Sequence, residues 1–302
     1  MCYSVVMKLM LTGTGTSHGV PVIGCGCRVC TSDDPHDSRL RCGAYLTHKD
    51  TAIAVDVGPE FRLQALRAHI TRLDAVLLTH SHADHLHGLD DLRVFSHTKP
   101  CHYDARVYPE TAGAGLPIYA DAQTLADIRY RFAYLFVAHE EGGGVAKLDF
   151  RDCGTEAFAV GDVRVLPVPL RHGHARTTGW LFSCADGGTQ RHIAYLTDCS
   201  EIPAASRALL ARNAPCLDHL VIDGLREQPH STHFSFAEAL AAADGIGARH
   251  TWLTHINHDM THGEIQAYLD GILPRFPRLL GIVRAGGSVC PAYDGLALET
   301  GT

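Results

Sequence analysis

Short apolar runs rich in β-branched residues recur along the chain, and most stop at a polar loop bearing Gly, His or Asp. Met7 to Leu11 leads into Thr12-Gly13-Thr14-Gly15-Thr16-Ser17-His18-Gly19, Thr51 to Val55 into Asp56, and Ala75 to Leu78 into Thr79-His80. Val163 to Leu170 ends at Arg171-His172, Ile193 to Leu196 at Thr197-Asp198, His219 to Ile222 at Asp223, and Thr251 to Leu253 at Thr254-His255. Runs of this length and composition predict strands. Apolar positions at helical spacing predict helices over Phe61 to His69, Asp121 to Phe136, Pro203 to Arg212, Ser235 to Asp244 and Gly263 to Leu273. Ser235 followed three residues later by Glu238 is a capping box. The pattern is mixed α/β, with reactive side chains at strand ends, where a rigid sheet holds functional loops. His97 to Leu116 has no period and predicts an insertion loop near 97–116, while Glu140 to Gly144 predicts a flexible turn. No repeat or linker divides the chain, so residues 1–302 are expected to form a single domain.

Of the 302 residues, 46% are hydrophobic, enough for a sizeable core. A formal net charge of −7 disfavours nucleic acid as a partner, since non-specific binding rests on Lys and Arg. It does not oppose a small anionic substrate if metal cations supply local positive charge. No apolar run approaches the roughly 20 residues that cross a bilayer, so no membrane association is expected. The first residues lack the charged and long apolar regions of a signal peptide and read as mature sequence, with Met1 and Met7 both candidate starts. Eleven scattered cysteines do not form a secreted disulfide framework, so reduced thiols and a cytoplasmic location are expected. Twenty-one histidines raise the expectation of metal sites.

The densest signal is Thr79-His80-Ser81-His82-Ala83-Asp84-His85-Leu86-His87-Gly88, directly after a strand-like run. Residues at i and i+2 of an extended segment project the same way, so His80 and His82 can share one metal. The chain must then turn for Asp84 and His85 to face a second ion, with Leu86 to Arg93 able to start a helix. Imidazole and carboxylate donors suit Zn, Mn or Fe. A second signal is Gly24-Cys25-Gly26-Cys27-Arg28-Val29-Cys30, in which three thiols read as zinc ligands that need a fourth from elsewhere.

The His-x-His-x-Asp-His run resembles the metallo-β-lactamase superfamily, and the resemblance implies an αββα sandwich of two mixed β-sheets flanked by helices. It also implies that His172 completes the first metal's ligands, that Asp198 bridges two divalent catalytic ions, and that His255 is the last ligand of the second. Asp56 is expected either to orient a ligand or simply to cap its turn. Gly13-x-Gly15, Gly19-Val20-Pro21 and the Cys-x-Cys-x-x-Cys segment are similar to the PhnP-type cyclic phosphodiesterases of the carbon–phosphorus lyase pathway. That likeness implies one structural zinc held by Cys25, Cys27, Cys30 and His258, and a histidine beside the substrate at His233. The family of pyrroloquinoline quinone biosynthesis protein B also shares the length and the cysteine segment but lacks the full histidine run.

With these residues, the resemblance implies hydrolysis of a small, cyclic phosphate ester by metal-activated water. Asp84 is expected to be both ligand and proton acceptor, and His233 the donor to the leaving oxygen, with His230 as its rival. His18 is placed at the pocket, and His87, His97, His174 and His262 at outer or surface positions. RNA 3′-end processing, thioester or lactone hydrolysis, and a non-catalytic accessory role are the alternatives. A homodimer is left open.

Overall fold

The computed structural model describes residues 6–96, 115–136 and 146–301. The predicted turn at 140–144, the predicted insertion up to residue 114, and His97 lie outside them. The strands are β1 (Lys8–Gly13), β2 (Gly43–His48), β3 (Thr51–Val55), β4 (Ala75–Leu77), β5 (Leu116–Ala120), β6 (Leu148–Asp152) and β7 (Phe158–Val160). They continue as β8 (Val163–His172), β9 (Ala175–Asp186), β10 (Thr189–Leu196), β11 (His219–Asp223), β12 (His250–Thr254), β13 (Ser288–Pro291) and β14 (Ala297–Glu299). Helices are α1 (Phe61–Arg67), α2 (Ala83–Leu86), α3 (Arg93–Ser96), α4 (Ala122–Arg131), α5 (Ala204–Asn213), α6 (Phe236–Ile246), α7 (His262–Ile272) and α8 (Pro277–Arg284).

The strands form two seven-stranded sheets, ordered β14-β1-β2-β3-β4-β5-β6 and β13-β12-β11-β10-β9-β8-β7. Both are mixed: β3 to β6 and β10 to β13 pair in parallel, the remaining neighbours antiparallel. In β1 and β14, Lys8 lies opposite Glu299, and the Thr300 amide donates to the Met7 carbonyl.

The runs read as continuous hydrophobics because both faces of each sheet are covered. Ile53, Val55, Ala75 and Leu77 turn inward and meet Val165, Trp180, Phe182 and Tyr195 of the opposite sheet. Their neighbours Ala54, Val76 and Leu78 turn outward under Phe61, Leu86 and Ile128. On the far side, Leu166, Val168, Leu170 and Leu196 pack beneath Leu210, Leu240, Leu269 and Leu279. The expected αββα sandwich is therefore the fold.

The expected helix start at Leu86 is wrong by one turn. The helix begins at Ala83, so Asp84 and His85 lie in its first turn, and a short 3-10 segment, Leu89–Leu92, follows. The predicted helix to Phe136 ends at Arg131 and continues only as a 3-10 turn, Ala133–Phe136. Helix α7 starts at His262, because Thr261 and Glu264 form a second capping box. The predicted loop near 116 gives way to β5, whose alternation Leu116, Ile118, Ala120 is buried.

Candidate metal centre

The C-terminal ends of the parallel strands converge at one edge of the sandwich, the usual place for ligands in α/β sheets. Asp56 follows β3, the Thr79–Leu86 segment follows β4, Asp198 follows β10, Asp223 ends β11 and His255 follows β12, while β8 brings in His172. Asp56, Asp198 and His255 adopt left-handed backbone conformations, φ 60°, 52° and 62°. Asp and His tolerate this region better than most residues, but it remains strained, and such strain gathers at functional sites. The turn into α2 also needs two glycines. A Cβ on Gly58 would sit 2.1 Å from the Asp84 carbonyl oxygen, and one on Gly88 would sit 2.3 Å from the Gly58 carbonyl oxygen.

Two donor groups result. His80, His82 and His172 form one; Asp84, His85, Asp198 and His255 form the other; within each, donor atoms lie no more than 4.8 Å apart. Asp198 stands between them. Its Oδ1 is 3.9 Å from His80 Nε2 and 3.2 Å from His255 Nε2, and its Oδ2 is 3.2 Å from His85 Nε2. Asp84 Oδ2 lies 3.2 Å from His85 Nε2 and 3.9 Å from His255 Nε2. All of these residues are buried except His82, which caps α2 from an extended conformation.

The surrounding hydrogen bonds fix which ring nitrogen is free. His85 Nδ1 donates to Asp56 Oδ2 at 2.7 Å. The Thr79 hydroxyl donates its one proton to Asp56, so it can only accept from His80 Nδ1, 3.0 Å away. His172 Nδ1 meets the Thr232 carbonyl oxygen at 2.7 Å, an acceptor only, and must carry the proton. Each ring is thereby left with a lone pair on Nε2 directed inward. His80 Nε2, His85 Nε2 and His255 Nε2 are buried with no hydrogen-bond partner. Buried polar atoms without partners are costly; nitrogen lone pairs facing two carboxylates fit divalent cations.

Asp56 therefore does both things expected of it: it accepts the Thr79 amide at 2.8 Å and orients His85. Burial raises its pKa despite those donors. Burial would press His85 down, yet Asp198 and Asp56 carry it well above the ordinary imidazole value. His255 rises likewise, against burial, toward Asp198 and Asp84. His80, buried beside His85, is driven well below the usual value, and burial lowers His172. Burial opposes ionisation of Asp198 and Asp84, but His255 and His85 hold both well below the carboxylate range. The carboxylates thus draw positive charge to this cluster, either as a proton on His85 and His255 or as a cation that takes their Nε2 lone pairs.

His233 forms the wall beside this cluster. Its ring stacks on His255 at 4.4 Å and meets His172 edge-on at 4.6 Å. Its Nδ1 donates to Asp223 Oδ2 at 2.8 Å, and Asp223 is wholly buried. Its rival His230 is exposed and spends Nδ1 on Thr232. Sequence reasoning assigned Asp223 no role; its signal was a strand-terminal Asp like those at 56 and 198. His18, His87 and His174 are exposed, and His262 packs against His36 and Tyr293 instead.

Away from that edge, Cys25, Cys27, Cys30 and His258 gather on half-buried loops. His258 Nδ1 is 3.6, 3.4 and 3.4 Å from the three sulfurs in that order. A tetrahedral zinc with bonds of about 2.3 Å to sulfur and about 2.0 Å to nitrogen separates such donors by about 3.5 Å. The tetrad therefore fits zinc. The Cys30 amide and His258 pull the Cys27 thiol down to about 6, while burial pushes Cys30 up to about 11.

Residues 51–256 match the β-lactamase superfamily domain. A crystal structure described as a new diphosphatase from the PhnP family is 35% identical, covers 98% of both chains and superposes with a TM-score of 0.77. Zinc-bound PqqB from Methylobacterium extorquens is 18% identical with a TM-score of 0.67, covering 96% of this chain and 99% of that one, and shares the fold. A protein of Porphyromonas gingivalis named octanoyltransferase is 35% identical over 261 residues, 83% of this chain. The chain spans less than half of that curated relative, 46% of its length. Among the described residues no helix is long and apolar enough to cross a membrane.

Proposed function

The chain belongs to the β-lactamase superfamily, and on that basis we propose that it is a divalent-metal-dependent hydrolase of a small, cyclic phosphodiester. The observation that carries this reading is the pair of donor groups sharing Asp198, with ring lone pairs turned inward by Asp56, Thr79 and Thr232. His80, His82 and His172 would hold one ion and Asp84, His85 and His255 the other, with Asp198 common to both. Such ions, when bound, supply a water made nucleophilic near neutral pH and positive charge for the phosphoryl oxygens.

The chain's own residues divide the remaining work. Asp84 faces the histidines through Oδ2, which leaves Oδ1 to accept a hydrogen bond from the attacking water and orient it. His233 Nδ1 is committed to Asp223, so Nε2 is the atom that gives a proton to the leaving oxygen. The buried Asp223 carboxylate fixes the orientation of the ring for that role. In the tetrad, Cys25, Cys27, Cys30 and His258 would hold a structural zinc.

A five-membered cyclic ribose phosphate incubated with metal-loaded protein, followed by phosphorus NMR, tests the reading. We expect opening to one monoester, no turnover in Asp84→Ala, and turnover about 10²–10⁴-fold slower in His233→Ala with both catalytic ions retained. Metal lost along with activity in His233→Ala would make that histidine a ligand instead. A second reading, cleavage of a diphosphate linkage, is favoured by the 35% identity to the PhnP-family diphosphatase. A dinucleoside diphosphate run in parallel distinguishes the two.

A further inference from the structure

The β8–β9 hairpin carries positive charge that the proposed reaction does not use. Arg171 and Arg176 stand directly opposite each other across the antiparallel pair, where like charges disfavour pairing. With Arg212 of α5 they line a groove of about 460 Å³. Among the described residues none of the three guanidinium groups has an ion-pair or hydrogen-bond partner. Glu156 is the one acidic residue of the lining and bonds none of them. The chain as a whole is acidic, at −7, so the cluster is not a sample of a basic surface.

The same groove takes in the start of α5, through Pro203 and Ser206. Proline at the N-cap offers no side-chain acceptor, and no acidic residue lies in the first turn. The free amides and positive end of a ten-residue helix thus open into the groove that Arg171 and Arg176 line, with Arg212 in the last turn of the same helix, further along that groove. The groove's Arg171 is tied through the backbone to the segment that carries the metal centre. Arg171 immediately precedes His172, and its carbonyl oxygen accepts the amides of Ser200 and Glu201, two and three residues beyond Asp198.

We propose that this groove is a second phosphate-binding site, taking one end of a ligand that carries two phosphates. Guanidinium forks match phosphate oxygens in pairs, and helix N-termini bind phosphate through backbone amides. The volume exceeds a single phosphate and falls in the range of small-molecule sites. The phosphate comes either from the far end of the substrate or from a separate phosphorylated effector. Only the first of these rests on the reaction proposed above.

Calorimetric titration of metal-loaded protein with adenosine 3′,5′-bisphosphate tests the site without measuring turnover, so inactivity on every ester would leave the binding result intact. We expect one binding class that survives Asp84→Ala and weakens at least tenfold in the R171Q/R176Q/R212Q variant. Arg212→Gln alone, on an exposed helical turn, should weaken it in part and guards against misfolding of the triple variant. Unchanged binding in the triple variant overturns the proposal, as does an equal loss in Arg249→Gln, a charge removed elsewhere. If KM of the triple variant rises for a doubly phosphorylated substrate and not for its singly phosphorylated counterpart, the groove holds the substrate's tail. Unchanged KM for both, with the binding class lost, assigns the groove to a separate effector.

Discussion

The two donor clusters of this molecule are built on opposite principles. The nitrogen and oxygen donors at the sheet edge are buried apart from His82, and three of their rings have a proton position set by a partner before any ion arrives. The thiol tetrad sits half-exposed on loops, and its sulfurs are held mainly by local amides, Val22 to Cys30 and Cys30 to Cys27. One geometry is imposed by the fold; in the other, the four ligands come from two loops 228 to 233 residues apart and need an ion to hold them. Metal-binding energy is accordingly used differently in the two places. On the proposed reading, metal binding at the edge serves chemistry and in the tetrad serves folding.

Three measurements put that contrast at risk. The largest effect is expected for Asp198→Asn, which removes the carboxylate between both donor groups: turnover should fall by about 10³-fold or more, with the fold intact by circular dichroism. A variant that melts early would show that the edge, too, depends on its metal for structure. Next, Asp56→Asn unseats His85 without touching an ion, and metal affinity by competition with a chelator should drop about 10- to 100-fold. Equal affinity would mean that the hydrogen-bonded frame is not what preorganises the site.

The smallest effect on activity, and the clearest on stability, should come from Cys27→Ser. It should lower the melting temperature by roughly 5 °C while turnover per folded molecule persists. The pH dependence has a definite sign. The Cys27 thiol is pulled below its ordinary value, to about 6, so the stability linked to its thiolate is fully present only above the ordinary thiol range and is lost progressively as pH falls toward 6. Melting with and without a chelator across pH 5 to 8 checks this; a chelator effect that grew toward pH 5 would refute it.

Much of the edge cluster was legible in the sequence because strand-terminal residues keep their order in the chain, from His80 to His255. The sandwich was legible for the same reason. What was hidden came from backbone geometry and distance. Nothing in the sequence marks the left-handed turns at Asp56, Asp198 and His255, and His233 finds Asp223 only because β11 ends beside it. Strand β9 escaped detection because Thr177 to Cys184 is buried on both faces and shows no alternation. Helix α8 escaped because only Leu279 is fully buried.

The pairing of β1 with β14 bears on how the chain reaches this structure. Lys8 and Glu299 form an ion pair at 3.3 Å, and β1 finishes its ladder against β14, a strand far along the chain from it. Until β14 is made, that flank of the first sheet presents unpaired amides and carbonyls, which are ready templates for another chain. Closure joins residues far apart in the sequence, which makes it slow beside local pairing. Aggregation during expression should therefore depend on how quickly β14 docks against β1.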